Sequence, residues 1–442
     1  MSGAADKAHM RRLFQRLAIP ATIGSISVPF VGFVDTLAIG RLGDPNLIAG
    51  VAIGAVIFNM VFVVFNFLRT STLGLVAQAT GANDSSEELR IVLRSGAIAL
   101  VCALALLASQ NIVEKAGLYA MGAQGGVLDA AKSYFGIRIW SGPFLLINYV
   151  IFGWMMGKGM APTALMLGLS HNVVNILACI LFAMDLGLGV AGVAIAAVLS
   201  ELFVTIVGLA IAAHSLGWPV SGIRIRDLSD STKVGKIIAI NRDILIRSLA
   251  LFLCGAIFMR YGASYGAVVL AANAVLFQIF QITGGLLDGV SAAAEQMSGH
   301  SIGARSKKLF DETVRLAMRW GGLLAIMCSL FLMLAIDEIV RFLTSSREVQ
   351  EAAARYSWWA ALAPLAAVTA YQMDGIFVGA TWSQAMRNAM LLSALLYLML
   401  LIPLNMAFQN HGLWMAFLGF LSARSAIFLW SMRRLARSTF GQ

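Results

Sequence analysis

Long apolar stretches joined by short polar connections make up most of this chain. A transmembrane helix needs about 20 predominantly apolar residues to cross a bilayer. Twelve stretches reach this length, six in each half, and we expect each to cross the membrane as a helix. They are 13–40, 47–70, 92–111, 134–157, 160–184, 188–212, 238–260, 265–297, 313–336, 355–379, 386–407 and 411–432.

Composition and charge support the membrane setting. Of the 442 residues, 59% are hydrophobic and 12% are charged, whereas about 25% of the residues of a soluble domain are charged. The net charge of +10 does not indicate a nucleic-acid partner, because 22 of the 32 lysines and arginines lie in segments on the side of the N-terminus. The twelve apolar stretches predict an all-α polytopic membrane protein. The positive-inside rule predicts that both of its termini lie in the cytoplasm.

A polar segment divides the chain near its middle. We predict an N-terminal six-helix lobe over 1–213, a cytoplasmic linker over 214–237 and a C-terminal six-helix lobe over 238–442. Six crossings return each lobe to its starting side, so we expect a pseudo-two-fold axis along the membrane normal, as in transporters that bind substrate between two repeats. An internal repeat at separations of 221 to 222 residues supports this organisation: Tyr134, Pro143 and Gly157 recur as Tyr356, Pro364 and Gly379.

Asp35 is a lone carboxylate late in the first apolar stretch, behind Pro20 and Pro29. An ionised side chain at the membrane centre costs at least about 2.5 to 3.5 kcal/mol, so an acid in this position indicates an ion, proton or substrate pathway. Each proline removes one intrahelical hydrogen bond and favours a bend. We therefore interpret Asp35 as a coupling residue and the two prolines as hinges.

Several segments resemble the multidrug and toxic compound extrusion (MATE) family, and most of all its DinF branch. The resemblance implies a two-lobed, twelve-helix antiporter in the bacterial cytoplasmic (inner) membrane that exports amphipathic, often cationic compounds in exchange for protons or sodium. It implies no catalytic site, no metal site and no cofactor besides the transported ion, and we expect a monomer. The similarity covers nearly the whole chain, and the segments that carry it are 17–20 (LAIP), 34–43 (VDTLAIGRLG), 67–69 (FLR) and 371–379 (YQMDGIFVG).

The resemblance also implies a cation-coupling site in the N-terminal lobe. Asp35 belongs to it, together with His171, Asn172 and Asn175 on the fifth span. Many family members carry an aspartate where this chain has Cys179, so the usual pair of carboxylates is absent and a sodium site would lose a ligand. This favours proton coupling. His171 either shares the proton of Asp35 or is a neutral histidine satisfied across helices.

A second polar pattern follows the eighth span, where Gln281, Asp288 and Glu295 are spaced by seven residues and therefore share one helix face. The repeat maps Arg69 onto Asp288, and we hypothesise that these two side chains form an inter-lobe ion pair that closes the inner gate. The alternative is that each pairs within its own lobe. Asp374 on the tenth span is either a second ion site or a gate contact.

The substrate wall is predicted only from the abundance of aromatic and methionine side chains, which suit promiscuous binding although most of them pack against helices or lipid. The expected cavity residues are Phe30, Phe33, Phe62, Phe65, Phe277, Phe280, Gln281 and Met373.

Two alternatives to a proton-drug antiporter stay open within transport. One is a sodium-coupled antiporter, and the other is a flippase for a lipid-linked intermediate, whose cationic cavity would use Arg69 and Arg138. A receptor or scaffold is a third alternative. Glu201 on the sixth span and Arg138 are interpreted as structural.

Overall fold

A computed structural model describes residues 8–25, 44–217 and 230–441. Four predicted site residues, Asp35, Pro29, Phe30 and Phe33, lie outside the described residues. The described parts contain helices and no strands. The all-α fold class is therefore confirmed.

The first half contains nine α-helices in its described parts. They are α1 (8–25), α2 (Pro45–Val64), α3 (Phe67–Gly81), α4 (Ser85–Ala108), α5 (Gln110–Ala120), α6 (Gly125–Arg138), α7 (Gly142–Gly157), α8 (Ala161–Cys179) and α9 (Gly189–Leu216). A turn of 3-10 helix, Ile139–Ser141, joins α6 to α7, and a turn of π-helix, Ile180–Asp185, extends α8.

The second half consists of longer helices. The last of them is interrupted at Gln409, whose backbone (φ 52°, ψ −131°) is not helical and lies between the two predicted spans 386–407 and 411–432. The helices are α10 (Ser231–Ala263), α11 (Ala267–Gly303), α12 (Lys307–Leu343), α13 (Arg347–Gly379) and α14 (Ser383–Phe440).

Ten helical stretches in the described parts of the chain are long and apolar enough to cross a membrane. The stretch Ser383–Phe440 contains the last two predicted spans, and the first predicted span, 13–40, is described only as far as residue 25. These spans agree with the two-bundle, twelve-helix fold.

Side chains that cap helix starts explain several boundaries. Asp84 accepts a hydrogen bond from the backbone N–H of Glu87 at the start of α4, and Ser306 accepts one from the backbone N–H of Leu309 at the start of α12.

Residue contacts divide the chain into two compact units, one comprising Ser27–Ile238 and the other Met1–Ile26 with Ala239–Gln442. We call α2–α9 the N-terminal lobe and α10–α14 the C-terminal lobe. Helix α1 groups with the second unit: Gly289 on α11 lies where an added Cβ would collide with the backbone of Thr22. The predicted lobe boundaries stay a prediction, and the contact units differ from them in the placement of residues 8–25.

The internal repeat is visible in the packing of glycines. In the N-terminal lobe, Gly153 on α7 lies against the backbone carbonyl of Arg69 on α3. In the C-terminal lobe, Gly375 on α13 lies against the backbone carbonyl of Ser291 on α11. Gly157 and Gly379 follow one turn later, against the backbones of Leu73 and Glu295. All four pairs of equivalent positions are 222 residues apart. Glycine has no Cβ and therefore allows the two helices to approach closely at the same places in each lobe.

Candidate functional site

A buried carboxylate lies at the centre of the N-terminal lobe. Glu201 on α9 is 5% exposed. Its Oε2 atom accepts a hydrogen bond of 2.8 Å from the side-chain amide of Asn148 on α7. Its other oxygen, Oε1, lies 3.6 Å from Nε2 of His171 on α8. The carboxylate is therefore bound on one side by a neutral amide and faces an imidazole on the other.

Further polar side chains surround this carboxylate. Thr205, one turn along α9 from Glu201, places its hydroxyl 2.9 Å from Oδ1 of Asn148. One turn along α8 from His171, the amide of Asn175 donates a long hydrogen bond of 3.4 Å to the hydroxyl of Ser200. Oδ1 of Asn175 is buried and has no hydrogen-bond partner. The interface of α8 and α9 therefore carries a continuous row of polar groups.

The predicted face of α8 is the face that packs inward. Positions 171, 175 and 179 are four residues apart and lie on one side of the helix, and both Asn175 and Cys179 are buried. Asn172, on the next face, is half-buried. The structure thus brings His171 and Asn175 together with Glu201, which the sequence pattern had assigned only a structural role. Asn148 had not been identified at all.

Arginines approach the same region from other helices. Arg138 on α6 donates to Ser141 and lies with its guanidinium 4.4 Å from the ring centre of Phe58. Nε of Arg69 donates to Oδ1 of Asn66, three residues earlier. Tyr149 on α7 interacts electrostatically with both arginines and with Glu201. Each arginine is therefore engaged within its own lobe.

The C-terminal lobe holds a different arrangement around Asp374 on α13. Oδ2 of this carboxylate accepts a hydrogen bond of 3.1 Å from Arg247 on α10 and another from Arg424 on α14. Asp374 and Arg424 are both buried. Asp288 and Glu295 on α11 interact electrostatically with Arg247. Asp374 therefore lies between two guanidinium groups instead of standing alone as a cation ligand.

Arg247 is one of the 22 basic residues that orient the chain, and the sequence pattern did not single it out as a site residue. It lies within Ser231–Ala263, one turn after Asp243. Asp243 is itself buried and accepts hydrogen bonds from Arg387 and Ser383. The four-residue spacing from Asp243 to Arg247 was the available signal, because it places both charges on one face of α10.

The repeat alignment used for the gate hypothesis needs a correction. The glycine contacts, with their 222-residue separation, make Ser291 the counterpart of Arg69. Asp288, three residues earlier, then corresponds to Asn66, which is the residue that accepts the hydrogen bond from Arg69. Arg69 and Asp288 are therefore not equivalent positions, and their pairing stays a hypothesis that the repeat does not support.

The described cavity candidates differ in their exposure. Phe62, Phe280 and Met373 are buried, with exposures of 2%, 4% and 0%. Phe62 stacks on Phe58, and Phe280 packs edge-on against Phe417. Phe65 and Phe277 are half-buried, and Gln281 is exposed. Their assignment to a substrate wall stays a prediction. Across residues 8–25, 44–217 and 230–441, no group of three or more His, Cys, Asp or Glu side chains is arranged to hold a metal ion.

Long apolar helices repeated in two bundles, with ionisable groups buried inside each bundle, are typical of a secondary membrane transporter. The chain belongs to the MATE family: the MatE family model matches it twice, over residues 20–181 and 244–404. One match falls in each half of the chain. This confirms both the resemblance in the sequence motifs and the internal repeat.

Individual relatives agree with this assignment. The DNA damage-inducible protein F of Escherichia coli (strain K12) is 35% identical over 409 residues, which cover 92% of this chain and 89% of that protein. The chain is thus DinF-like. A solved structure of a MATE protein in its bent conformation matches with a TM-score of 0.88 at 18% identity, covering 98% of this chain and 97% of the other. An outward-facing multidrug resistance MATE transporter of the MOP superfamily matches with a TM-score of 0.86 at 17% identity, again over 98% of this chain and 97% of the other.

Proposed function

We propose that this protein exports amphipathic, cationic organic compounds across the bacterial cytoplasmic membrane in exchange for protons. In this proposal it acts as a monomer with both termini in the cytoplasm. Membership of the MATE family supports drug export, and the distribution of basic residues supports the orientation. The choice of coupling ion rests on the difference between the two lobes.

The observation that carries the proposal is the pairing of Asp374 with Arg247 and Arg424. Arginine keeps its charge at any physiological pH. Protonation of Asp374 would remove a counter-ion from two guanidiniums inside the lobe, and an uncompensated buried charge is costly. We infer that Asp374 stays ionised throughout the transport cycle. Coupling then falls to the N-terminal lobe.

The polar groups of the N-terminal lobe suit a proton better than a sodium ion. The position where many relatives carry a second acid holds the buried thiol of Cys179. The buried carboxylate of Glu201 is already bound by an amide donor and faces an imidazole. A hard cation prefers a set of oxygen ligands, whereas a carboxylate and an imidazole both accept protons. This supports proton coupling over sodium coupling.

The proposed mechanism begins at Asp35. Protonation from outside neutralises this acid, the first helix bends near Pro20 or Pro29, and the bound compound is released outward. The described part of that helix, 8–25, is continuous through Pro20. A proton entering across 100 mV releases about 2.3 kcal/mol before any pH gradient is added. That free energy is available to drive export.

A flippase for a lipid-linked intermediate is less well supported. It would need a cationic cavity for an anionic head group. In the C-terminal lobe, Arg247 and Arg424 are bound to Asp374, and in the N-terminal lobe Arg69 and Arg138 donate to Asn66 and Ser141. These guanidiniums serve internal contacts.

The test is export of a cationic dye from proteoliposomes with an imposed pH gradient. The Asp35→Asn variant should lose gradient-driven export because it cannot take up the proton. Asp311→Asn is the matched control, since Asp311 is exposed on α12; it should export at the wild-type rate. Full export by Asp35→Asn would overturn the proposed mechanism.

A further inference from the structure

We propose that Glu201 and His171 form a proton-binding site of their own in the N-terminal lobe, additional to Asp35, and that one proton per cycle is carried there. The inference rests on the proposed proton coupling and deepens it. The geometry that carries it is the 3.6 Å approach of Nε2 of His171 to Oε1 of Glu201.

Burial makes this pair unusual. Glu201 is 5% exposed, and Nε2 of His171 is buried without a hydrogen-bond partner. A buried carboxylate is stable only when it is paired or hydrogen-bonded. Among the residues that the structure describes, no lysine or arginine lies within ion-pair distance of Glu201. Its possible positive partner is therefore the imidazole.

Each oxygen of Glu201 has a separate neighbour. Asn148 donates to Oε2 at 2.8 Å and also to the backbone carbonyl of Glu201 at 3.0 Å. The hydroxyl of Thr205 lies 2.9 Å from Oδ1 of Asn148, which fixes the direction in which that amide points. Oε1 is thereby left facing His171. The asymmetry holds the carboxylate in place while a proton binds and leaves on the imidazole side.

An imidazole is the side chain that ordinarily gains and loses a proton between pH 5 and 8. Uptake of one proton on Nε2 turns a neutral ring beside a carboxylate into an ion pair, and release of that proton restores the neutral ring. The gap of 3.6 Å is slightly longer than a hydrogen bond. Protonation should therefore draw the two side chains, and with them α8 and α9, closer together.

The charged and titratable groups that face the pair come from three other helices. Tyr149 on α7 interacts electrostatically with Glu201. Arg69 on α3 and Arg138 on α6 interact with the same phenol.

A route to the pair runs along the same interface. Asn175 lies one turn after His171 on α8 and donates a hydrogen bond to Ser200, the residue directly before Glu201 on α9. The buried Oδ1 of Asn175 has no hydrogen-bond partner among the described residues and can accept one from a proton carrier. Cys179, at the buried end of α8, lies one further turn along the same face.

The experiment measures how many protons enter per exported dye cation in proteoliposomes, from the dye gradient that balances a known pH gradient. Glu201→Gln and His171→Gln should each lower the count by one, which changes the balancing dye ratio about tenfold for every pH unit of gradient. His171→Gln should also change the dependence of export on the external pH. His214→Gln, an exposed histidine on α9, is the matched control and should leave both readouts unchanged.

Two further measurements keep the outcomes distinct. Glu201→Asp should restore the wild-type proton count, and thermal unfolding in detergent identifies any variant that is merely unfolded. An unchanged count and pH profile in folded His171→Gln would overturn the inference. Failure of wild-type protein to respond to a pH gradient would instead overturn the proposed function.

Discussion

Arg424 donates a hydrogen bond to the carboxylate of Asp374, and both side chains are buried inside the C-terminal lobe. In the N-terminal lobe, the helices at corresponding places in the repeat, α7 and α9, instead join Asn148 to Glu201. The same pair of repeat helices thus carries an ion pair in one lobe and a carboxylate bound by a neutral amide in the other. The proposed function assigns a structural role to the first arrangement and a coupling role to the second.

The first prediction concerns that ion pair. Arg424→Met should lower the free energy of unfolding by about 3 to 5 kcal/mol, because it removes one partner of a buried pair. Asp374→Asn should also be destabilised but should keep pH-driven export in the molecules that fold. Thermal unfolding and dye export, measured on the same preparations, check both statements. A stable Asp374→Asn variant without export would assign coupling to the C-terminal lobe.

The second prediction concerns the glycine contacts. Gly375→Ala places a Cβ against the backbone of Ser291, and we expect a loss of about 1 to 3 kcal/mol from overpacking. Gly322→Ala on α12 is the control, since no atom lies within 4 Å of its added Cβ; it should be neutral or stabilising by up to about 1 kcal/mol. Equal melting temperatures for the two variants would show that α11 and α13 do not need the close approach.

The third prediction concerns Glu88, which is buried near the start of α4 and accepts hydrogen bonds from Trp154 at 2.7 Å and Lys158 at 2.9 Å. Glu88→Ala leaves both donors without their acceptor and should cost about 1 to 3 kcal/mol. Glu338→Ala removes an ion pair to Arg341 in which both side chains are more than 60% exposed, and such pairs contribute at most about 1 kcal/mol. Chemical unfolding should rank the two variants in this order, and the reverse order would contradict the assigned contacts.

The fourth prediction concerns the missing acid. Cys179→Asp adds a carboxylate one turn from Asn175 and restores the pair of acids, with Asp35, that many family members carry. Two nearby acids can share a proton or bind a cation that a single acid holds weakly. We expect sodium-driven export to appear in this variant and to stay absent in Cys179→Asn, which has the same size without the charge. Sodium-driven export in the wild-type protein would remove the basis of the comparison.

Much of the helical architecture could be predicted from hydrophobicity alone. The predicted span 188–212 begins one residue before α9 (Gly189–Leu216) and otherwise lies within it, and the predicted break after 407 is found at Gln409. Apolar length determines these features, because a bilayer allows few alternatives to a helix. The π-turn Ile180–Asp185 was not predicted, since it has no distinct signature in residue type.

The candidate site was harder to predict because its contacts join distant residues. His171 was identified from its position on α8, but Glu201 and Asn148, 53 residues apart, meet only when α7 packs against α9. Arg247 and Asp374 are 127 residues apart, and hydropathy treats each as an isolated charge. Periodicity predicts which face of a helix is buried, whereas the partner of a buried polar group depends on how the helices pack.

Proton coupling is tested by export of a cationic dye by the wild-type protein, measured in proteoliposomes under a pH gradient and under a sodium gradient separately. Proton coupling predicts export against the dye gradient when the outside is acidic and sodium is absent. It predicts no accumulation when sodium is the only gradient. Export driven by sodium alone, with no response to pH, would contradict it.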